Sequence, residues 1–151
     1  MLRVHFTTGT DLAAFTRSRG RYIGVTAVPC RALKDKDGYL KAYYIELQGV
    51  YDRYGEIAGD DKAQQARKAN GGSGGDYAFY IAVVAPPPST QWSHHMPYDL
   101  RAAPEDMCAH IHGGTSSDLL WIKQAPAFMF STNDILVPAE AIRAALEKKA
   151  D

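Results

Sequence analysis

The segment MCAHIHGG, residues 107 to 114, sets a thiol and two imidazoles beside a glycine pair. If it is a strand, Met107, Ala109 and Ile111 share one face, and Cys108, His110 and His112 share the other. Two histidines spaced two apart on a strand can converge on one ion or one substrate oxygen. Zinc accepts nitrogen and sulfur ligands in this way, and three protein ligands leave a water position open for chemistry. His110 and His112 are therefore the candidate metal ligands, for zinc or another divalent ion. Without a metal, the same pair can act as acid and base. His94 or His95 would complete the set.

A purely structural reading stands beside this one. The polar face of an amphipathic strand must carry something, and histidine and cysteine are ordinary occupants. After the histidines, Gly113 and Gly114 allow a tight turn. Exposed backbone N–H groups there, together with Thr115, Ser116 and Ser117, can receive an anion such as phosphate.

The long segment PPPSTQWSHHMPYDLRAAPED, residues 86 to 106, is too long for an ordinary connection in a compact domain. It carries Trp92, His94, His95, Tyr98 and Asp99, which is not linker composition. These residues are candidates for ligand binding.

The elements that must position these groups are read from periodicity. LRVHFTT alternates Leu2, Val4 and Phe6 against Arg3, His5 and Thr7, the pattern of a half-buried strand. Thr10 is placed to cap a short helix carrying Leu12 and Phe15. RYIGVTAVPCRAL and YLKAYYIELQGVY flank KDKDG and read as a long β-hairpin, with Pro29 at an edge, bulge or strand end. DRYGEIAGDDKAQQARKAN offers Asp60 or Asp61 as a cap for a surface helix whose only apolar residues after Ile57 are alanines, and it runs into the linker-like NGGSGGD. The whole 52 to 76 region reads as a flexible excursion from the sheet. YAFYIAVVA, residues 77 to 85, is the most apolar run and reads as a central strand. LLWIK and AFMFS read as short strands. The chain closes on a helix with Pro138 at its first position and a stripe of Ile142, Ala145 and Leu146.

Composition bounds the rest. The 151 residues are 46% hydrophobic and 23% charged, with 17 basic residues against 17 acidic ones. These proportions suit one folded domain over residues 1 to 151. The expected class is α+β: a mainly antiparallel sheet of about six strands packed on one or two helices. Charge balance gives no long-range field toward nucleic acid or an anionic membrane. The opening MLRVHFTTGT has charge where a secretory signal is apolar, so a cytoplasmic protein is expected, with Cys30 and Cys108 as reduced thiols.

Several familiar signatures fail on inspection. HGG is part of the oxyanion loop of lipase-like hydrolases, but GGSGG at 71 to 75 comes after a polar helix rather than a strand and makes no nucleophile elbow. The order FYIAVVAPP, HHMPYD, HIHGGTS over residues 77 to 116 resembles a group of small uncharacterised phage-encoded proteins with the layout GYV-x-VP, HP-x-Y, HGGLT. That resemblance implies a phage or prophage origin and no mechanism. Two function classes emerge from the sequence. One is a hydrolase acting on a polar or phosphorylated small molecule, with His110, His112 and His94 as catalytic residues. The other is a non-enzymatic phage-type accessory protein that binds a small ligand or a host protein. A homo-oligomer joined through Trp92, Met96 and Tyr98 is a third reading.

Overall fold

The computed structural model describes residues 1–17, 21–34, 49–59, 61–72, 74–85, 96–115, 130–131 and 135–148. Among these residues the chain is α+β, with three α-helices and ten strands in antiparallel sheets, more strands than the six expected. The surplus consists of strands of two or three residues, too short for periodicity in the sequence to mark.

The first sheet runs β1-β5-β3-β4. β1 (Leu2–Thr7) has the alternation its sequence predicts: Arg3, His5 and Thr7 are exposed, while Leu2, Val4 and Phe6 turn to the core. It pairs along its whole length with β5 (Asp76–Ile81), from Leu2↔Ile81 to Thr7↔Asp76. The ring of Phe6 stacks on Tyr77 at 5.7 Å. The apolar run 77 to 85 is central, as expected, but it is not one strand. It breaks at Ala82 and Val83 and resumes as β6 (Val84–Ala85), which leaves the sheet to pair with β7 (Tyr98–Asp99).

Residues 52 to 76 contribute to this sheet as well as departing from it. β3 (Tyr51–Asp52) pairs with β5 and, through a tight hairpin, with β4 (Gly55–Glu56). The next helix, α2 (Asp61–Ala69), has the alanine-only apolar content read from the sequence, yet one of its residues is deeply buried. Arg67 is 2% exposed and donates from Nε to Asp52 Oδ2 at 2.6 Å and from Nη2 to Asp52 Oδ1 at 3.0 Å. Nη2 also donates to the Gly55 and Glu56 carbonyls. A two-pronged ionic anchor takes the place of the missing apolar stripe.

The second sheet is β10-β8-β2, with β9 (Phe130–Ser131) also on β8. β2 (Arg21–Pro29) and β8 (Met107–Thr115) run antiparallel over nine residue pairs, from Arg21↔Thr115 to Pro29↔Met107. β10 (Ile135–Val137) takes part of the other edge of β8. Residues 39–48 of the proposed partner hairpin strand, most of its turn and the segment LLWIK lie outside the described residues; the strand's last residue, Tyr51, pairs in the first sheet with β4 and β5 rather than with β2. Met107, Ala109 and Ile111 are each 0% exposed, which fixes the inner face of β8 as the sequence predicts. They join Val25, Phe79, Ile81, Leu100 and Ile142 in one cluster that spans both sheets.

Two cap assignments change. Asp11, not Thr10, caps α1 (Leu12–Thr16): its Oδ1 accepts from Ala14 N at 2.9 Å. Pro138 is the residue before α3 (Ala139–Glu147) rather than its first, and the side-chain acceptor comes from Asp106, whose Oδ1 takes the Ala139 N–H at 2.8 Å. α3 buries Ile142 and packs Leu146 on the core, while Ala145 is exposed.

The cysteines are also corrected. Cys30 and Cys108 form a disulfide, with Cα atoms 5.0 Å apart. The ladder explains it: Val28 is the partner of Cys108, and Cys30 N donates to Asp106 O at 2.9 Å just beyond the last rung, so the two chain segments are already adjacent.

Candidate functional site

The structure describes only some of the residues that the sequence offered as one site. His110 sits on β8 opposite Thr26, partly buried, on the face it shares with Cys108. The Thr26 hydroxyl beside it is buried and has no hydrogen-bond partner among the described residues. His112 pairs through its backbone with Gly24 and Ser131. Its side chain lies outside the described residues, as do Trp92, His94, His95, Ser116 and the side chain of Thr115. Cys108 is committed to the disulfide, so it supplies no thiolate for a metal. His5 is on the outer face of the other sheet. Among the described residues, no group of three or more histidine, cysteine, aspartate or glutamate side chains is placed to hold a metal ion.

Gly113 and Gly114 do not form a turn. Both are buried within β8 and paired with Ile23 and Tyr22 of β2. A Cβ on Gly114 would lie 2.8 Å from the Tyr22 hydroxyl and 2.9 Å from its ring, so any larger residue would have to push that ring aside. The backbone groups expected to greet an anion are ladder groups instead.

Tyr98 and Asp99 form β7 and are tied to their neighbours. Burial, reinforced by the charge of Glu105, raises the Tyr98 phenol above its usual range. Hydrogen bonds from Arg101 hold the exposed Asp99 carboxyl below the usual carboxylate range. Across from them, Arg31 grips both ends of the 96–105 segment. Its guanidinium meets Glu105 at 2.6 and 3.1 Å and also reaches Met96 Sδ and the Pro97 carbonyl. This is a clamp between surface segments beside the disulfide, built for position rather than for chemistry.

A different place is concave and polar. Where the β1–β5 ladder ends, Thr8 N donates to Gly75 O at 3.0 Å, and the two segments then diverge. One runs through Gly9, Thr10 and Asp11 into α1. The other comes from α2 through Gly71, Gly72, Gly74 and Gly75. Between them lies a half-open cup of about 110 Å³, floored by Tyr77. Gly75 takes φ +82°, and a Cβ on it would lie 2.9 Å from the Thr8 carbonyl oxygen. The Tyr77 hydroxyl accepts from Leu12 N at 3.0 Å and faces Thr10 O at 3.5 Å, which fixes the floor to the opposite wall.

Residue types alone make NGGSGG linker-like and leave Thr8 and Asp11 inconspicuous. The signal that would have found the cup is topological. β1 and β5 pair to their ends, so the segment leaving β1 and the segment entering β5 must meet. Searches against protein-family models, curated proteins and solved structures found no match.

Proposed function

We propose that the protein is a non-enzymatic binding protein for a small polar ligand, held in the cup between Thr8–Asp11 and the glycine run 71–75. The cup itself carries this reading: a polar cavity, tied across by the Thr8 N–H to Gly75 carbonyl bond and by the Tyr77 hydroxyl, whose lining includes hydroxyl, carboxylate and backbone groups. Pockets for drug-sized ligands usually enclose ~300 to 1,000 Å³. At about 110 Å³ this one suits an ion or a very small molecule. The hydrolase reading would centre instead on His110 and His112, and of their side chains only that of His110 is described. The Cys30–Cys108 disulfide favours an oxidising setting over the cytoplasm expected from the sequence. No helix among the described residues is long and apolar enough to cross a membrane.

The test is a thermal-shift screen of small polar solutes, ions included, on the full chain and on Gly75→Ala, alongside an assay for general phosphoesterase turnover. A ligand at a hundredfold excess over its Kd stabilises by ~2.7 kcal/mol. The expected result is a shift in the native chain that is lost in the variant, without turnover. Turnover that disappears in His110→Gln would overturn the reading in favour of a hydrolase.

A further inference from the structure

We infer that the Cys30–Cys108 disulfide is a reversible latch, opened by thiol–disulfide exchange with a protein dithiol that reaches it over Leu136. The inference is independent of the cup and of the binding reading above. The bond joins segments that other contacts already hold: nine residue pairs tie β2 to β8, Cys30 N donates to Asp106 O at 2.9 Å, and Arg31 meets Glu105 at 2.6 Å. These ties keep the two cysteines side by side when the covalent bond is open, and proximity of that kind lets the bond close again.

Position on the sheet gives access. Cys30 and Cys108 are both partly exposed, whereas Met107 and Ala109 on either side of Cys108 are fully buried. Residues directly opposite each other in an antiparallel pair share a face, with side chains within reach. On one flank of Cys108 that neighbour is Val28, 3% exposed; on the other it is Leu136, 58% exposed. The open approach is therefore over Leu136. Apart from Met1, Leu136 is the one large exposed hydrophobic side chain among the described residues. An aliphatic side chain beside a reachable disulfide suits a protein whose dithiol has an apolar rim better than a small charged thiol.

The exchange runs in two displacements. A thiolate of the dithiol attacks one sulfur, the S–S bond breaks, and the other sulfur leaves as a thiolate that takes a proton from water. The second thiolate of the dithiol then attacks the mixed disulfide, so the partner departs as a disulfide and Cys30 and Cys108 remain as thiols. Two electrons and two protons enter the chain. The guanidinium next to Cys30 is taken by Glu105 rather than left to stabilise a thiolate, so the couple receives electrons from a strong dithiol instead of oxidising other proteins.

Opening the latch frees a node. Cys30 is the first residue of a 3₁₀ turn (Cys30–Lys34) that carries Arg31, which also grips Met96 Sδ and the Pro97 carbonyl. Asp106, beyond the other end of the bond, caps α3 through its Oδ1. Reduction loosens the 96–106 segment and the first turn of α3, while the buried face shared by β2 and β8 stays packed.

The experiment uses the full oxidised chain, treated without denaturant with dithiothreitol or with a reduced thioredoxin. Free thiols are counted by mass spectrometry after alkylation, and hydrogen exchange is followed along the chain. Both reagents are expected to open the bond with the circular dichroism of the native fold retained, and oxidised glutathione to close it again. In the reduced chain, exchange over residues 96–106 should speed by at least about tenfold while residues 23–27 stay protected. Leu136→Lys should react with thioredoxin at least about fivefold more slowly and with dithiothreitol at the native rate, since only the protein dithiol loses an apolar contact. A bond that opens only in denaturant, or a fold that is lost on reduction, would make the disulfide structural and overturn the inference. Equal thioredoxin rates for the native chain and Leu136→Lys would overturn it as well, because the partner would not be crossing Leu136.

Discussion

The two glycine-rich stretches of this chain solve opposite problems. In Gly71–Gly75 the described glycines all lie at positive φ, between +76° and +106°, and the backbone they make possible turns back onto the end of β1. In Gly113–Gly114 no positive φ occurs; the backbone is an ordinary ladder, and what matters at Gly114 is the empty space where Tyr22 lies. The first stretch needs glycine for its torsion angles, the second for its missing side chain. Dihedral freedom creates concavity, whereas a missing Cβ lets another side chain fill the gap and removes concavity. That contrast is what leads the proposed binding reading to the cup.

The contrast breaks most severely at the base of α2. Arg67 is buried against Asp52, and its carbonyl accepts from Gly72 N at 2.9 Å, so the residue that anchors the helix also holds the glycine run. Asp52→Ala leaves a guanidinium buried without its counter-charge, and removing one partner of such a pair costs ~3 to 5 kcal/mol. Chemical denaturation should show that loss. The paired change Asp52→Leu with Arg67→Met should recover much of it, because isosteric apolar replacement of a buried pair is often close to neutral. A loss below about 1 kcal/mol in Asp52→Ala would mean that α2 is held by something other than this pair.

A smaller effect belongs to Gly75. Alanine there must adopt a left-handed conformation, costing ~1 to 2 kcal/mol, and its Cβ meets the Thr8 carbonyl, which is backbone and cannot swing away. Gly75→Ala should lose about 2 kcal/mol in denaturant titrations. Gly71→Ala, with nothing within 4 Å of its Cβ, should lose only the conformational part. Equal losses would show that the contact with Thr8 is not what shapes the cup.

Much of the fold was legible from residue types alone. The alternation of Leu2, Val4 and Phe6, the inner face Met107, Ala109 and Ile111, and the Ile142–Leu146 stripe each report burial through local period, because one buried face sets the pattern. Long-range pairing hid the rest, the cup included. Thr10 and Asp11 are adjacent and both chemically fit to cap; only the geometry of the β1 exit selects Asp11. The alanines of α2 announced nothing to bury, because its anchor is a charge whose partner lies 15 residues away. Cys30 and Cys108 are brought together by the β2–β8 register, which no spacing in the sequence expresses. The glycine pair at 113 fits a turn and a strand equally well until Tyr22 is known to be its neighbour.

The finest test of the comparison is therefore that neighbour. Gly114→Ala puts a methyl into the Tyr22 ring, but Tyr22 is only partly buried and can tilt, so the expected loss is about 1 kcal/mol, at the low end for overpacking. In a Tyr22→Leu background the obstruction is shorter. There Gly114→Ala should be neutral or should stabilise by ~0.5 to 1 kcal/mol, the usual gain from replacing a glycine inside a strand. The sign change between the two backgrounds isolates the coupling, since each single change alone mixes packing with chain entropy. Gly75→Ala should show no such reversal in any side-chain background, because its penalty is written in the torsion angle and a backbone oxygen. If Gly114→Ala costs the same with and without the tyrosine ring, the glycine at 114 is demanded by its backbone after all, and the two stretches are alike.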